Sequence, residues 1–279
     1  MGEDIQSLQE EIHIVKEFLR TGRVVELNID WIKNVNYFLE LSSTQDYAHT
    51  LAENGAEEGT LIISEVQSSG RGRRDRSWFS PKGGLWFSFI LKPRSGLFRI
   101  PALTLGMGFG VVCGIEELLH INPLIKWPND IFLSGKKLGG VLIDMEVKSG
   151  TLAYIIVGIG LNTNVSRIDF PLSLKENVIS LRDVLGHPVD NIEMLGSILK
   201  EIGTVYRAFE ENGFLPVLKE VKKRCLVLGK RVRVRGENPA EVIEGEAYDI
   251  SENGGLILKA KSGEIRELFC GNVEIPGDI

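Results

Sequence analysis

An α+β fold in two unequal parts is predicted for this chain of 279 residues. Up to about residue 224, helix-period stretches interleave with apolar runs of strand length. From Gly229 onward the pattern turns to short alternating strands broken by Asn-Gly-Gly and Ser-Gly turns. Composition agrees: 43% hydrophobic and 25% charged residues are ordinary for a soluble globular protein, and the length suffices for one sizeable domain with a smaller companion.

Ile5, Leu8, Ile12, Val15 and Leu19 fall at helical spacing, which predicts a helix over residues 5–20 with Gly22 as its stop. Residues 24–27 offer a short strand and Asn36–Leu41 a better one. Ser42-Ser43-Thr44 then opens a helix that Asn54-Gly55 closes. The hydroxyls there have two readings, an N-cap or a grip on a polar ligand head at a strand-to-helix turn. The apolar run 61–66 is a strand. It leads into Gly70-Arg71-Gly72-Arg73-Arg74-Asp75-Arg76, with four arginines and two glycines in seven residues. Glycines let a backbone approach a ligand closely, and guanidinium forks match carboxylate and phosphate oxygens. The loop is therefore either a solvated basic turn or an anion holder.

Residues 83–91 form a buried strand between Pro81 and Pro93. Ile100–Ile115 is the longest uncharged apolar run. Its 16 residues include four glycines and a proline, short of the roughly 20 a membrane span needs, so it reads as a buried helix. The spacing Gly108-x-Gly110-x-x-x-Gly114 misses the dinucleotide-binding register, so close helix packing accounts for it. Next come Lys126-Trp127-Pro128-Asn129-Asp130 and, past the turn at Ser134-Gly135, Lys137-Leu138-Gly139-Gly140. This is a β-hairpin whose charges are costly unless paired or liganded. Residues 153–161 are a strand whose Gly158 and Gly160 bare the backbone, ending at Asn162 and Asn164. Ile192–Phe209 and Val217–Arg224 are helical, the boundary to the second part falls near Cys225–Leu228, and the remaining strands imply a small barrel of about 50 residues. The basic strip Lys222–Arg235 is either a solvated face or a dock for an acidic partner domain.

Several function classes are disfavoured. The net charge of −6 argues against general nucleic-acid binding. The three cysteines form no CxxC pair and the four histidines no metal-binding spacing, which argues against a disulfide framework and a caged transition metal. No paired serine or cysteine nucleophile and no phosphate-binding P-loop sequence is visible. The acidic start is unlike a secretory signal, so a cytoplasmic location is expected, with no membrane partner.

GRGRRDRSW, KWPND, KLGG and GIGLN, in this order and spacing, resemble the biotin protein ligases from about Tyr37 to the C-terminus. The resemblance implies a central mixed β-sheet flanked by helices, of the class II synthetase-like biotin/lipoate ligase kind, followed by a small C-terminal SH3-like β-barrel. It also implies a division into a helical extension (residues 1–36), a ligase domain (37–226) and the barrel (227–279). The implied reaction joins biotin and ATP into biotinyl-5′-adenylate and passes the biotinyl group to a lysine of a biotin carboxyl carrier protein domain. On this match Ser43, Thr44, Gln45 and Gln67 hold the ureido head, and Gly70, Arg71, Gly72, Arg73, Lys137, Gly140 and Gly158 complete the biotin site. Arg71, Arg73, Arg74, Arg76, Trp78, Lys126, Asn129, Lys137 and Asn162 contact ATP or the adenylate. Lys137, Arg73 and Asp130 are the catalytic set, and Mg²⁺ is held through ATP phosphates with Asp130.

This chain departs from the family pattern in three places. Asp75 stands where the family usually has glycine. Val178 lies in the adenine-side segment where some members place tryptophan. The leader offers one acidic helical pattern where repressor-type members have a DNA-binding domain, so a monofunctional ligase without specific DNA binding is expected. A homodimer is compatible with the sequence. The alternatives are a lipoate or octanoate ligase, whose pocket should be apolar at its far end, and a non-enzymatic nucleotide or DNA regulator.

Overall fold

The computed structural model describes residues 20–93, 99–236 and 242–276. The chain divides into two compact units that alternate in sequence. One is drawn from residues up to Lys92, Leu142–Lys175 and Ser180–Gly196, the other from Pro93–Val141, Glu176–Ile179 and Ser197–Ile279.

In the first unit, residues 20–26 form helix α1. Most of the helix expected over residues 5–20 lies outside the described residues. Gly22 does not end the helix and residues 24–27 are not a strand: α1 runs through the glycine to residue 26. A mid-helix glycine costs only about 1 kcal/mol, and burying Val24 offsets a cost of that size. Strand β1 (Asn34–Phe38) starts and ends earlier than the expected Asn36–Leu41, because its parallel register with β2 (Thr60–Ser64) pairs Asn34 with Thr60 and Phe38 with Ser64. Strand β3 (Leu85–Leu91) runs antiparallel to β2 and to β7 (Thr151–Leu161). All seven residues of β3 are buried, as its unbroken apolar run requires of a strand covered on both faces. Helix α2 (Thr44–Glu53) sets Ala48 and Ala52 onto Ile62, Ile90 and Ile156. On β3, Phe89 meets Trp31 edge-on at 5.2 Å.

In the second unit, helix α3 (Ile100–Leu119) is the buried glycine-rich helix. Its length and mean hydropathy of 1.5 would suit a membrane span, but 67% of that stretch is buried by packing. The glycines do serve close approach: a Cβ on Gly114 would lie 2.6 Å from Cα of Ile198, in the long helix α5 (Asn191–Asn212). Strands β4 (Leu124–Lys126) and β5 (Asp130–Leu133) pair antiparallel, and β5 pairs with the first half of the long strand β6 (Lys136–Lys148). The β5–β6 turn carries positive φ at Ser134 (51°) and Gly135 (77°), the twist a two-residue hairpin favours. The strand order is β1-β2-β3-β7-β6-β5-β4, a mixed sheet. Among the described residues the remaining helices are α4 (Leu181–Leu185), in the first unit, and α6 (Leu215–Lys223), in the second.

The C-terminal strands are β8 (Arg231–Arg235), β9 (Val242–Ile250), β10 (Leu256–Lys259), β11 (Ile265–Leu268) and β12 (Asn272–Glu274). They form an all-antiparallel sheet in the order β11-β10-β9-β8-β12. Among the described residues the two outer strands are not paired, so the predicted barrel is here an open five-stranded sheet. The basic strip is laced to carboxylates: Lys222 to Asp249 at 2.7 Å, Arg224 to Glu116 at 2.9 Å, Arg233 to Glu244 at 2.7 Å and Arg235 to Glu274 at 3.0 Å. That pairing favours a neutralised, solvated face over a dock for an acidic domain.

Candidate functional site

Two groups of polar side chains, one in each unit, contain most of the residues singled out from the sequence. In the first unit, Ser43 is fully buried as the N-cap of α2, its Oγ accepting from the amide of Asp46 at 3.3 Å. The capping reading of that hydroxyl therefore holds. Thr44 and Gln45, the next two residues, point into a buried polar relay. Gln67 Oε1 accepts the Thr44 amide at 2.8 Å, and Gln67 Nε2 donates to Ser80 Oγ at 2.8 Å. Thr44 Oγ1 lies 3.1 Å from Gln67 Oε1 and 2.8 Å from Ser88 Oγ. Ser88 Oγ is 3.1 Å from Gln45 Oε1, and Gln45 Nε2 is 3.2 Å from Asp144 Oδ2 and 3.4 Å from the Ile156 carbonyl. Gly158 faces Gln45 so closely that an added Cβ would overlap Oε1, which is why this position of β7 must lack a side chain.

The Gly/Arg segment is a folded turn. Trp78 N–H bonds Gly70 O at 2.7 Å, Gly72 N–H bonds Arg76 O at 2.7 Å, and Arg71 bridges Ser77. Arg74 and Asp75 sit at its apex, both in the left-handed region at φ 56°. Glycine takes that conformation without a Cβ penalty, whereas Asp is among the few side chains that tolerate it. Arg71, 40% exposed, reaches Asp46 at 2.8 Å and Asp144 at 3.4 Å. Asp75 has no place in that pairing: the carboxylates beside Arg71 come from α2 and β6. Arg73, Arg74 and Arg76 ride on the same turn. Trp78 packs edge-on to Trp86 (6.5 Å) and over Gly160, where a Cβ would lie 2.6 Å from its Nε1. Asn162, 3% exposed, directly follows β7 and accepts the Leu181 amide on its backbone carbonyl at 2.9 Å.

In the second unit, Lys137 Nζ lies 2.7 Å from Asp130 Oδ1, and both side chains are about three-quarters buried (29% and 25% exposed). The strand register sets Asp130 opposite Gly140. Asn129 Nδ2 donates to Val141 O and its carbonyl accepts the Val141 amide, both at 2.9 Å, which ties the KWPND turn to the KLGG strand. Lys126 stands over the Phe132 ring at 4.9 Å. Val178 runs parallel to Lys137, with Lys137 N–H bonded to Asn177 O at 2.9 Å and Ile179 N–H to Lys137 O at 3.0 Å. The charges of this hairpin are thus paired or ring-stacked, as burial demands.

Sequence reasoning missed Ser88 and Asp144, together with Asp46 and His49. The first two carried a legible signal, each being a polar residue in an otherwise apolar strand stretch: Leu85-Trp86-Phe87-Ser88-Phe89 and Val141-Leu142-Ile143-Asp144-Met145. Among the described residues no three His, Cys, Asp or Glu side chains gather as a metal cage. A magnesium ion does not need one, since it is commonly held by one or two carboxylates with substrate phosphates and waters. Burial pushes the Cys113 thiol up to about 12 and raises Cys225 as well, so neither supplies a thiolate nucleophile.

Residues 37–162 match the Biotin/lipoate A/B protein ligase family and residues 227–274 the Biotin protein ligase C terminal domain. The bifunctional ligase/repressor BirA of Bacillus subtilis (strain 168) is 39% identical over 236 residues, covering 84% of this chain and 72% of that protein. The biotin–[acetyl-CoA-carboxylase] ligase of Paracoccus denitrificans is 28% identical over 233 residues, 78% of this chain and 92% of that one. Among solved structures, the biotin protein ligase from Aquifex aeolicus in complex with biotin and ATP superposes with a TM-score of 0.76 at 33% identity, covering 87% of this chain and 98% of that one.

Proposed function

This chain belongs to the biotin protein ligase family, and on that premise we propose how its residues divide the work of activating biotin and transferring it to protein. The biotin carboxylate attacks the α-phosphate of ATP, releasing pyrophosphate and leaving biotinyl-5′-AMP. The ε-amine of an acceptor lysine then attacks the acyl carbon, AMP departs, and an amide bond remains. The observation that carries this reading for the chain itself is the relay of Gln67, Thr44, Ser88 and Gln45. A row of fixed, buried hydrogen-bonding groups suits the ureido head of biotin and has no use in a pocket for the apolar end of a lipoyl chain.

Lys137 supplies the cation. Two anions meet when a carboxylate approaches a phosphate, and a positive charge placed there stabilises the transition state most, where the charge concentrates. Asp130 lies 2.7 Å from that cation, and an incoming anion competes with it for the ammonium's three hydrogen bonds. Asp130 would share Mg²⁺ with the ATP phosphates, and the ion when bound neutralises phosphate charge. The turned Gly70–Trp78 segment carries Arg71 and Arg73, which on this reading cover the adenylate and exclude the water that would hydrolyse the mixed anhydride. Asn129 and Asn162 hold the phosphates through amide dipoles. The acceptor is a biotin carboxyl carrier protein domain, and the enzyme works in the cytoplasm.

We further propose that the chain is a ligase without specific DNA binding. Residues 1–20 carry Glu3, Asp4, Glu10, Glu11 and Glu17 against Lys16 and Arg20, a balance that repels phosphate. Biotin-dependent release of pyrophosphate from ATP, assayed beside lipoate, tests the main reading. Turnover with biotin and none with lipoate is expected; the reverse would contradict it.

A further inference from the structure

Asp144 is a carboxylate on β6 with its side chain 25% exposed, and no step of the reaction above uses it. Its Oδ2 is approached by three side chains: Gln45 Nε2 at 3.2 Å, His49 Nε2 at 3.3 Å and Arg71 Nη1 at 3.4 Å. The consequence lies in the Gln45 amide. A carboxylate beside an arginine accepts hydrogen bonds and donates none. The Ile156 carbonyl, 3.4 Å from the same amide nitrogen, is likewise an acceptor. Both force Nε2 to face β6 and β7, so Oε1 must face Ser88.

One orientation then dictates the next. Ser88 has a single proton and gives it to Gln45 Oε1. Thr44 Oγ1, 2.8 Å from Ser88 Oγ, must therefore be the donor to it. Its only proton spent there, Thr44 Oγ1 offers none to Gln67 Oε1 at 3.1 Å. Gln67 Oε1 is left with one donated proton, from the Thr44 backbone amide, and can accept a second from a ligand N–H. Were Gln45 turned over, Ser88 would accept from it and donate to Thr44, and Thr44 would donate that second proton to Gln67.

We infer that Asp144 is a positioning residue for substrate choice: acting through Gln45, its charge fixes the direction of the whole relay, so that Gln67 presents an acceptor to a ureido N–H. The proposal rests on the biotin reading above. It predicts that the enzyme distinguishes biotin from an isosteric analogue carrying ring oxygen in place of the ureido N–H, since two acceptor oxygens would then face each other with no proton between them.

Titration calorimetry with both ligands tests this on the wild type, Asp144→Asn and Asp144→Glu, alongside thermal melts and the KM for ATP. The wild type should favour biotin over the analogue by about 10- to 100-fold, the loss that attends a buried acceptor left unmatched. Asp144→Asn keeps the shape but can donate, which frees Gln45 to turn; the preference should fall to within about threefold, with the KM for ATP little changed. Asp144→Glu, still only an acceptor, should retain the preference. A full preference in Asp144→Asn would overturn the proposal. So would equal weakening of both ligands together with a lowered melting temperature, which would mark Asp144 as structural. Failure of the wild type to bind biotin at all would overturn the biotin reading and the proposal with it.

Discussion

The relay of Gln67, Thr44, Ser88 and Gln45 and the ion pair of Lys137 with Asp130 are both buried polar groups, yet they are built on opposite plans. The relay is neutral and, by the inference drawn above for Asp144, has a single direction; it is complete before any ligand arrives except for one proton that Gln67 Oε1 can still accept. Such a site loses little to reorganisation and recognises by matching donors to acceptors. The ion pair is charged and self-satisfied, with 2.7 Å between Nζ and Oδ1. A substrate anion competes with Asp130 for the ammonium's hydrogen bonds, so the cation's value is realised where negative charge is greatest. Recognition is thereby assigned to fixed dipoles and rate to an exchangeable charge.

The largest expected effect follows from breaking the second region. Lys137→Ala should lower biotin-dependent pyrophosphate exchange by about 10²–10³, the loss of roughly 2–4 kcal/mol of transition-state stabilisation, while the chain still folds, with a lower melting temperature because Asp130 loses its partner. Breaking the relay should act differently. Thr44→Val removes the hydroxyl that donates to Ser88 and should raise the KM for biotin about 10-fold while kcat changes less than about threefold, as steady-state kinetics would show.

Asp75→Gly sharpens the contrast from the side of the loop. Asp75 holds φ 56°, a conformation costing an L-residue about 1 kcal/mol, and it places an anion among four arginines. Glycine should tighten an adenylate analogue a few-fold and loosen the free loop. Calorimetry showing unchanged or weaker binding would count against this. The smallest effect is expected from DNA. Gel shifts at physiological salt, with and without biotin and ATP, should give no discrete complex that survives competitor DNA.

How much of this was legible in the sequence depended on whether local chemistry or long-range pairing decided it. Ser43 as a helix cap, the turn at Ser134-Gly135, the close-packing glycines Gly110 and Gly114, and the need to pair Lys137 could all be read from neighbours in the chain. Gly22 misled because a stop signal is weaker than the burial of the residues after it, such as Val24. The register of β1 could not be read at all, being set by β2 more than twenty residues away. The barrel expectation counted its five strands correctly, and among the described residues they pair in one antiparallel sheet. In the candidate site, residues carried by compact motifs were found. Asp144 and Ser88 were missed because their partners come from α2, far off in sequence, and only the fold brings Gln45 to them.

The most direct test of the division between recognition and rate is to titrate biotin against Lys137→Ala and Thr44→Val in one pyrophosphate-exchange assay. Lys137→Ala should lose kcat at every biotin concentration, and Thr44→Val should regain near-wild-type turnover once biotin is saturating. If excess biotin restored Lys137→Ala, or failed to restore a stably folded Thr44→Val, the assignment of rate to the ion pair and recognition to the relay would be wrong.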